Sequence, residues 1–327
     1  MSTPASTGLA EATAAHPVTT VPQGALRLDD WGVIRARGED AGTFLQGQLT
    51  NDVLGLGAGE ARLAGYCAAK GRLMATFVVW RDESGDVLLA CSADLLAATL
   101  KRLSMFVLRA KCKLSDASGE VPLWGVAGDA AMAALGSAAP AKAWGRASLP
   151  DGQGAVIRLP DARVGEAAVP RLLLAASNLP LELPALNADA WRWLEAKSGA
   201  ARIVAATVEQ FVPQMVNLEV VGGVSFSKGC YPGQEVVARS QYRGTLKRRA
   251  FVVGASAPMH PGQEVFHDAD PAQPAGMVVL AGQHAGAWAG FVELKLAAAE
   301  GGALHLGAAD GPELRLGALP YDLPSAD

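Results

Sequence analysis

Residues Lys228-Gly-Cys-Tyr-Pro-Gly-Gln-Glu235 carry the most chemistry of any stretch in this 327-residue chain. Pro232 suits a first helical position, and Gln234 and Glu235 then fall in a first turn, where acceptors meet free N–H groups. That reading sets Cys230 just before a helix N-terminus with Lys228 beside it, a setting that favours thiolate over thiol. Gly229 and Gly233 permit tight turns or close approach of backbone to a ligand. The same spacing also describes a plain turn in which Cys230 only fills space.

Downstream, Arg239, Arg243, Lys247, Arg248 and Arg249 follow with Glu235 as the one nearby acid. Glu235, Arg239, Arg243 and Lys247 recur every fourth residue, so a continuing helix aligns them on one face unless Gly244 ends it. Such a face is either solvated and salt-bridged or an anion site for a polyglutamate tail, a phosphate or RNA. The chain as a whole has a net charge of −4, which argues against a bulk nucleic-acid binder and leaves room for a local basic patch.

Upstream, Leu26, Leu28, Trp31 and Val33 point to a short strand over Ala25–Val33, and Glu39–Leu49 reads as a helix. Leu63–Trp80 gives two strands around a Lys70-Gly71 turn, and Val87–Cys91 another. Ser92 suits the N-cap of a helix carrying Leu95, Leu96, Leu100 and Leu103. Strands are expected near Lys111–Leu114, Leu123–Ala127, Ala155–Arg158 and Arg171–Ala175, with a helix in Ala130–Ala143. Asn187 starts a helix with Trp191, Trp193 and Leu194 that Gly199 closes. After Arg249, apolar runs at Phe251–Val253, Gly276–Leu280, Trp288–Leu294, Leu304–Leu306 and Leu314–Leu316 alternate with Gly and Pro turns, an all-β pattern.

Half the residues are apolar and 18% charged, a globular balance at a length that predicts two or three domains. The first 26 residues hold no Lys or Arg and only Glu11 as an acid, so a flexible tail is expected there. No basic start with an apolar run and no arginine-rich leader is seen, and no stretch reads as a bilayer span; cytoplasm is the expectation. The four cysteines, Cys67, Cys91, Cys112 and Cys230, form no CxxC pair, and no metal site is expected. The first three sit in apolar contexts as core thiols.

Lys228–Glu235 resembles the signature of the YgfZ family of folate-binding proteins, relatives of the glycine-cleavage T-protein and of a mitochondrial iron–sulfur assembly factor. Phe211-Val-Pro-Gln-Met-Val-Asn-Leu218, Gly222-Gly-Val-Ser-Phe226 and Val237-Ala-Arg239 to Arg243-Gly244 are similar to that family's pattern. So are Phe44-Leu-Gln-Gly-Gln-Leu-Thr-Asn-Asp52 and Cys67-Ala-Ala-Lys-Gly-Arg72. The resemblance implies an α+β aminomethyltransferase-like fold, with three subdomains around a central folate cavity and a C-terminal β-barrel. The division it implies is a tail at 1–24, a two-part core at 25–245 and the barrel at 246–327. It implies tetrahydrofolate or another reduced folate as cofactor, and Fe–S enzymes or Fe–S assembly proteins as partners of a monomer. Support of tRNA-modifying enzymes follows from the same likeness, and a weak RNA contact is assigned to Arg239–Arg249.

On that reading Cys230 is the functional thiol, with Lys228 beside it. Candidate cofactor contacts are Tyr231, Gln234, Glu235, Arg239, Tyr242, Arg243, Gln214, Asn217, Asn51 and Asp52. The two tyrosines can stack on a pterin or a base. Asn51 and Asp52 also suit a helix end with an Asx turn. Two departures stand out. T-proteins place an acidic pair where this chain has Leu73-Met-Ala-Thr76, and a general acid has to be present to act. Lys197 stands where T-proteins often place a pterin-binding Glu, and Glu195, two positions earlier, should face elsewhere. An accessory role is therefore favoured over its alternative, a folate-dependent one-carbon transferase.

Overall fold

In the computed structural model, which describes residues 20–149, 152, 154–242 and 246–324, the first two strands part into different sheets. β1 (Gly24–Arg27) and β2 (Trp31–Arg37) replace the one strand expected from Ala25 to Val33. A turn at Asp29-Asp30 divides them, and the Trp31 N–H reaches back to the Leu28 carbonyl. The expected tail lies outside the described residues as far as position 19.

β2 is followed by α1 (Ala41–Gln46), β3 (Ala61–Cys67), β4 (Leu73–Arg81), β5 (Val87–Ser92), α2 (Ala93–Met105) and β6 (Lys113–Asp116). These strands form an antiparallel sheet in the order β3-β4-β5-β2-β6. β4 and β5 are apolar almost throughout because both faces are covered. α2 buries Leu95, Leu96, Thr99 and Leu103 on one face. Ser92 precedes it with extended backbone, but its hydroxyl donates to the Ile203 carbonyl at 2.8 Å and caps no helix amide.

β7 (Leu123–Ala127), α3 (Asp129–Leu135), β8 (Arg146–Ser148), β9 (Gly154–Val164) and β10 (Ala167–Ala176) build a second sheet, in the order β1-β7-β10-β9-β8. The β9–β10 ladder slips its register between Val169 and Arg171, around Pro170, which has no N–H to pair. α4 (Ala188–Lys197) starts where expected: the Asn187 side chain accepts the Asp189 N–H at 2.7 Å, and Gly199 at φ 63° ends the segment.

After α5 (Gln234–Tyr242), β11 (Arg248–Ala255), β12 (Glu264–His267), β13 (Gly276–His284), β14 (Ala287–Lys295), α6 (Leu296–Ala299), β15 (Leu304–Leu306) and β16 (Glu313–Leu316) complete the chain. The strands close into a barrel, β11-β14-β13-β12-β15-β16, which leaves that sheet without a free edge. β12 escapes sequence reading because four residues with one fully buried side chain, Val265, carry too little alternation. α4 packs so tightly on β13 that a side chain at Gly282 would strike the Trp193 backbone. Trp191 and Trp193 are buried, in a core continuous from both sheets to the barrel wall at Phe291. No helix among the described residues is long and apolar enough to cross a membrane.

Candidate functional site

Cys230 is exposed, in a loop that the helix does not reach. α5 begins at Gln234, not at Pro232, which corrects the expected cap geometry. Gly233 has φ 79°, a left-handed backbone that a helical residue does not take, and the Gln234 N–H closes a turn on the Tyr231 carbonyl. Lys228 ties this loop to the end of α1. Its Nζ donates to the Gln46 carbonyl and, at 2.8 Å, to the Leu49 carbonyl, and lies 4.9 Å from the centre of the Tyr231 ring. Burial lowers Lys228 to about 8, against the opposing pull of Asp52 and Cys230 nearby.

Gly233 also presses on the β3–β4 turn, where a Cβ would come within 2.5 Å of the Ala68 carbonyl oxygen and 2.7 Å of Gly71. Gly233→Ala should therefore cost about 2 kcal/mol or more, from left-handed strain plus overpacking. A fall in the denaturant midpoint at unchanged m-value is the expected reading; an unchanged midpoint would show that the turn refolds without strain.

The remaining expected cofactor residues lie in varied surroundings. Tyr231 is buried, and burial, then neighbouring Cys67, pushes its phenol up. Gln234 is half-buried, while Glu235 and Arg239 are exposed. Tyr242 is exposed and meets Phe226 edge-on at 5.8 Å. Arg243 lies outside the described residues. Asn51 donates to the Leu63 and Gly222 carbonyls, at 2.7 Å each, and so staples loops together. Asp52 pairs with Arg62 at 3.0 Å; burial opposes its charge, but Gly55, Arg62 and Gln46 outweigh that and hold its carboxyl low. Gln214 donates to Val237, and Asn217, in a left-handed conformation, donates to Ala250 and Tyr321.

The basic run is also divided. α5 stops at Tyr242, so Lys247 does not share its face. Arg248 pairs with buried Glu293, and Arg249 with Glu219 and the Gln214 carbonyl. In β11 Arg249 is buried, where burial demands a partner, while Arg248 leaves the opposite face partly exposed and is held by buried Glu293. They are not free to hold an anion or RNA, which corrects that part of the expectation.

A second constellation, missed in the sequence, lies where the two sheets and α4 meet. Trp31, Thr76, Trp144, Arg171, Glu195 and Arg202 line a cavity of about 30 Å³. Glu195 accepts from Arg202 through both oxygens, at 2.9 Å each, and both side chains are buried. Arg202 also reaches Ser92 at 2.9 Å and Asp30 at 3.2 Å, and its guanidinium lies 5.0 Å from the Trp31 ring centre. Arg171, placed by the irregularity at Pro170, is 3% exposed and lies 4.8 Å from the Trp191 ring. Among the described residues its Nε has no partner, nor has the buried Trp31 Nε1. Burial lowers Arg171 to about 10, which still leaves it charged at neutral pH.

Glu195 and Arg202 also form one wall of a larger cleft between the core and the barrel, about 710 Å³, with Met259, His260 and Trp288 on its far side. Lys197, expected to replace a ligand carboxylate, instead lies 5.1 Å from the Trp193 ring centre. Periodicity could have found Glu195, because it falls on the same buried face of α4 as Trp191. Arg171 and Arg202 gave no such signal.

No family model matches the chain. It is 37% identical over 251 residues to the tRNA-modifying protein YgfZ of Edwardsiella ictaluri, a match that covers 72% of each chain. It is 35% identical over 250 residues to the protein of the same name from Photorhabdus laumondii, covering 73% of each. Among solved structures, the glycine cleavage system aminomethyltransferase T of Bartonella henselae has the same fold, with a TM-score of 0.69 and 16% identity over 92% of this chain and 87% of its own.

Proposed function

This chain belongs to the YgfZ family, and we propose that it is a folate-binding accessory protein that sustains Fe–S enzymes, among them enzymes that modify tRNA, through Cys230. The observation that carries the folate half is the pair of unmatched buried donors, Arg171 Nε and Trp31 Nε1, on one cavity wall. Buried donors without acceptors are costly, and the presence of two of them on one wall supports an acceptor-bearing ligand there. A pterin ring has a carbonyl oxygen and ring nitrogens to accept from Arg171 and Trp31, and an amino group to donate to Glu195. Trp144 supplies an aromatic face. A bound reduced folate would supply one-carbon or reducing chemistry.

The inner cavity has room for a water molecule and has to widen to admit a ring. The 710 Å³ cleft that shares Glu195 and Arg202 adjoins it, and falls in the range of small-molecule sites. The β3–β4 hairpin links the two halves of the proposal. Leu63 and Thr76 line the cavity, while the hairpin's turn touches Gly233 beside the Cys230 loop. Leu63 and Cys67 stand roughly 13 Å apart along the strand. Cys230 is the accessible thiol that meets the client, and Lys228, poised near pH 8, can hold or release a proton beside it.

Mass spectrometry of small molecules that copurify with the chain tests the assignment; a reduced folate is expected, and an unrelated heterocycle would redirect it. The alternative, a one-carbon transferase, draws support from Glu195, a carboxylate inside the cavity. Both of its oxygens are tied to Arg202, however, and Thr76 at the place of the acidic pair accepts the Ile203 N–H at 3.0 Å. A reconstituted glycine-cleavage assay should therefore yield no ammonia and no methylene-tetrahydrofolate above background. Product at T-protein rates would establish the transferase instead.

A further inference from the structure

We propose that the C-terminal end of α2 and the loop that follows it form a docking surface for tRNA, an inference that rests on the tRNA-directed reading above. Arg248 and Arg249 are drawn into internal ion pairs, whereas several exposed cations lie together here. Lys101, Arg109 and Lys113 are exposed and Arg102 half-buried, and no carboxylate among the described residues pairs with any of them. Lys111 alone is matched, by Glu39. Lys113 lies on β6, an edge strand, directly opposite Arg37 on β2. Arg37 is neutralised by Asp86 at 2.8 Å, so among the described residues Lys113 is the unpaired cation of that edge.

Apolar groups sit among these charges. Phe106 is 47% exposed, with the Arg102 guanidinium 5.9 Å from its ring centre. Leu108 is 87% exposed and held at φ 44°, a left-handed conformation unfavourable for leucine by about 1–2 kcal/mol. A strained, exposed leucine contributes nothing to this core. Cations around an aromatic ring match the recognition of unpaired nucleotides, with phosphates on Lys and Arg and a base stacked on Phe. The same surface on an otherwise acidic protein concentrates positive charge where a polyanion can use it.

The test is fluorescence titration of an unmodified tRNA transcript with the full chain across a salt series. For three or four phosphate contacts, log K should fall against log salt with a slope of about −2 to −3.5. Arg109→Glu with Lys113→Glu should weaken binding at least tenfold and flatten the slope. Phe106→Ala should weaken it about tenfold at every salt concentration. Lys247→Glu, on the other basic stretch, should change neither. All four side chains are exposed, so tetrahydrofolate titration and thermal unfolding of the same variants should match wild type.

Absence of tRNA binding by the wild-type chain, or binding indifferent to these substitutions, overturns the inference. So does binding to phosphatidylglycerol vesicles that these substitutions abolish while tRNA binding persists. A wild-type chain that binds tetrahydrofolate and restores tRNA modification in cells, yet shows no affinity for tRNA, sinks this surface alone. A chain that binds tRNA here but no folate sinks the folate reading alone.

Discussion

Cys230→Ser should fold, bind tetrahydrofolate as wild type does, and fail to restore Fe–S-dependent tRNA modification in cells lacking the protein, most visibly under oxidative stress. Cys230 is exposed in a loop whose shape is set by others: by Lys228 on the Gln46 and Leu49 carbonyls, and by Gly233 on the β3–β4 turn. Serine keeps the size and loses the nucleophilicity, so a defect in this variant reports the thiol and not the fold. Two of the other cysteines predict a contrast, whereas Cys112, expected as a core thiol, is only half-buried. Burial pushes Cys67 and Cys91 up to about 12, which holds them as inert thiols in the core. Serine at either position buries a hydroxyl in apolar surroundings and should cost about 1–3 kcal/mol. Full complementation by Cys230→Ser at wild-type abundance would remove the thiol from the account and move attention to Lys228.

Arg202→Met should cost about 3–5 kcal/mol of stability. The substitution strands Glu195, buried and without its bidentate partner, and releases Ser92 and Asp30 as well. The loss follows from an uncompensated buried charge, so pairing Arg202→Met with Glu195→Leu should recover most of it. Denaturant midpoints of the single and double variants measure both effects. Equal midpoints for the two would mean that the cluster contributes by packing and not by charge. Neither variant should bind tetrahydrofolate tightly, since each alters the proposed pocket wall.

The barrel and α4 were legible because their signals are local. Short apolar runs between Gly and Pro turns mark strands, and Asn187 and Gly199 bracket a helix by their own backbone chemistry. The division between β1 and β2 was not legible, because Leu26, Leu28, Trp31 and Val33 read as one apolar segment across a turn. The same limit applies to the site. Lys228–Glu235 could be found because its residues are contiguous, although the left-handed Gly233 delays the helix in a way that spacing does not reveal. The central constellation is assembled from β2, β4, β10, α4 and the segment after it, with Trp31, Thr76, Arg171, Glu195 and Arg202 scattered along the chain. Arg171 is aimed by a register slip, and Arg202 by partners far away in sequence. Neither leaves a periodic trace. Arg248 and Arg249 mislead in the opposite direction: they read as a basic patch, but their partners Glu293 and Glu219 fold over them.

Calorimetric titration of tetrahydrofolate into the wild-type chain and into Arg171→Met decides whether a folate sits against Arg171. Among the described residues the Arg171 side chain has one hydrogen bond, 3.4 Å to the Pro160 carbonyl, and its burial lowers its pKa, so methionine should leave unliganded stability equal or higher. Wild type should bind, and Arg171→Met should bind at least about tenfold more weakly, as expected for loss of a charged hydrogen bond. No binding by the wild-type chain, or equal binding by both, would contradict the account.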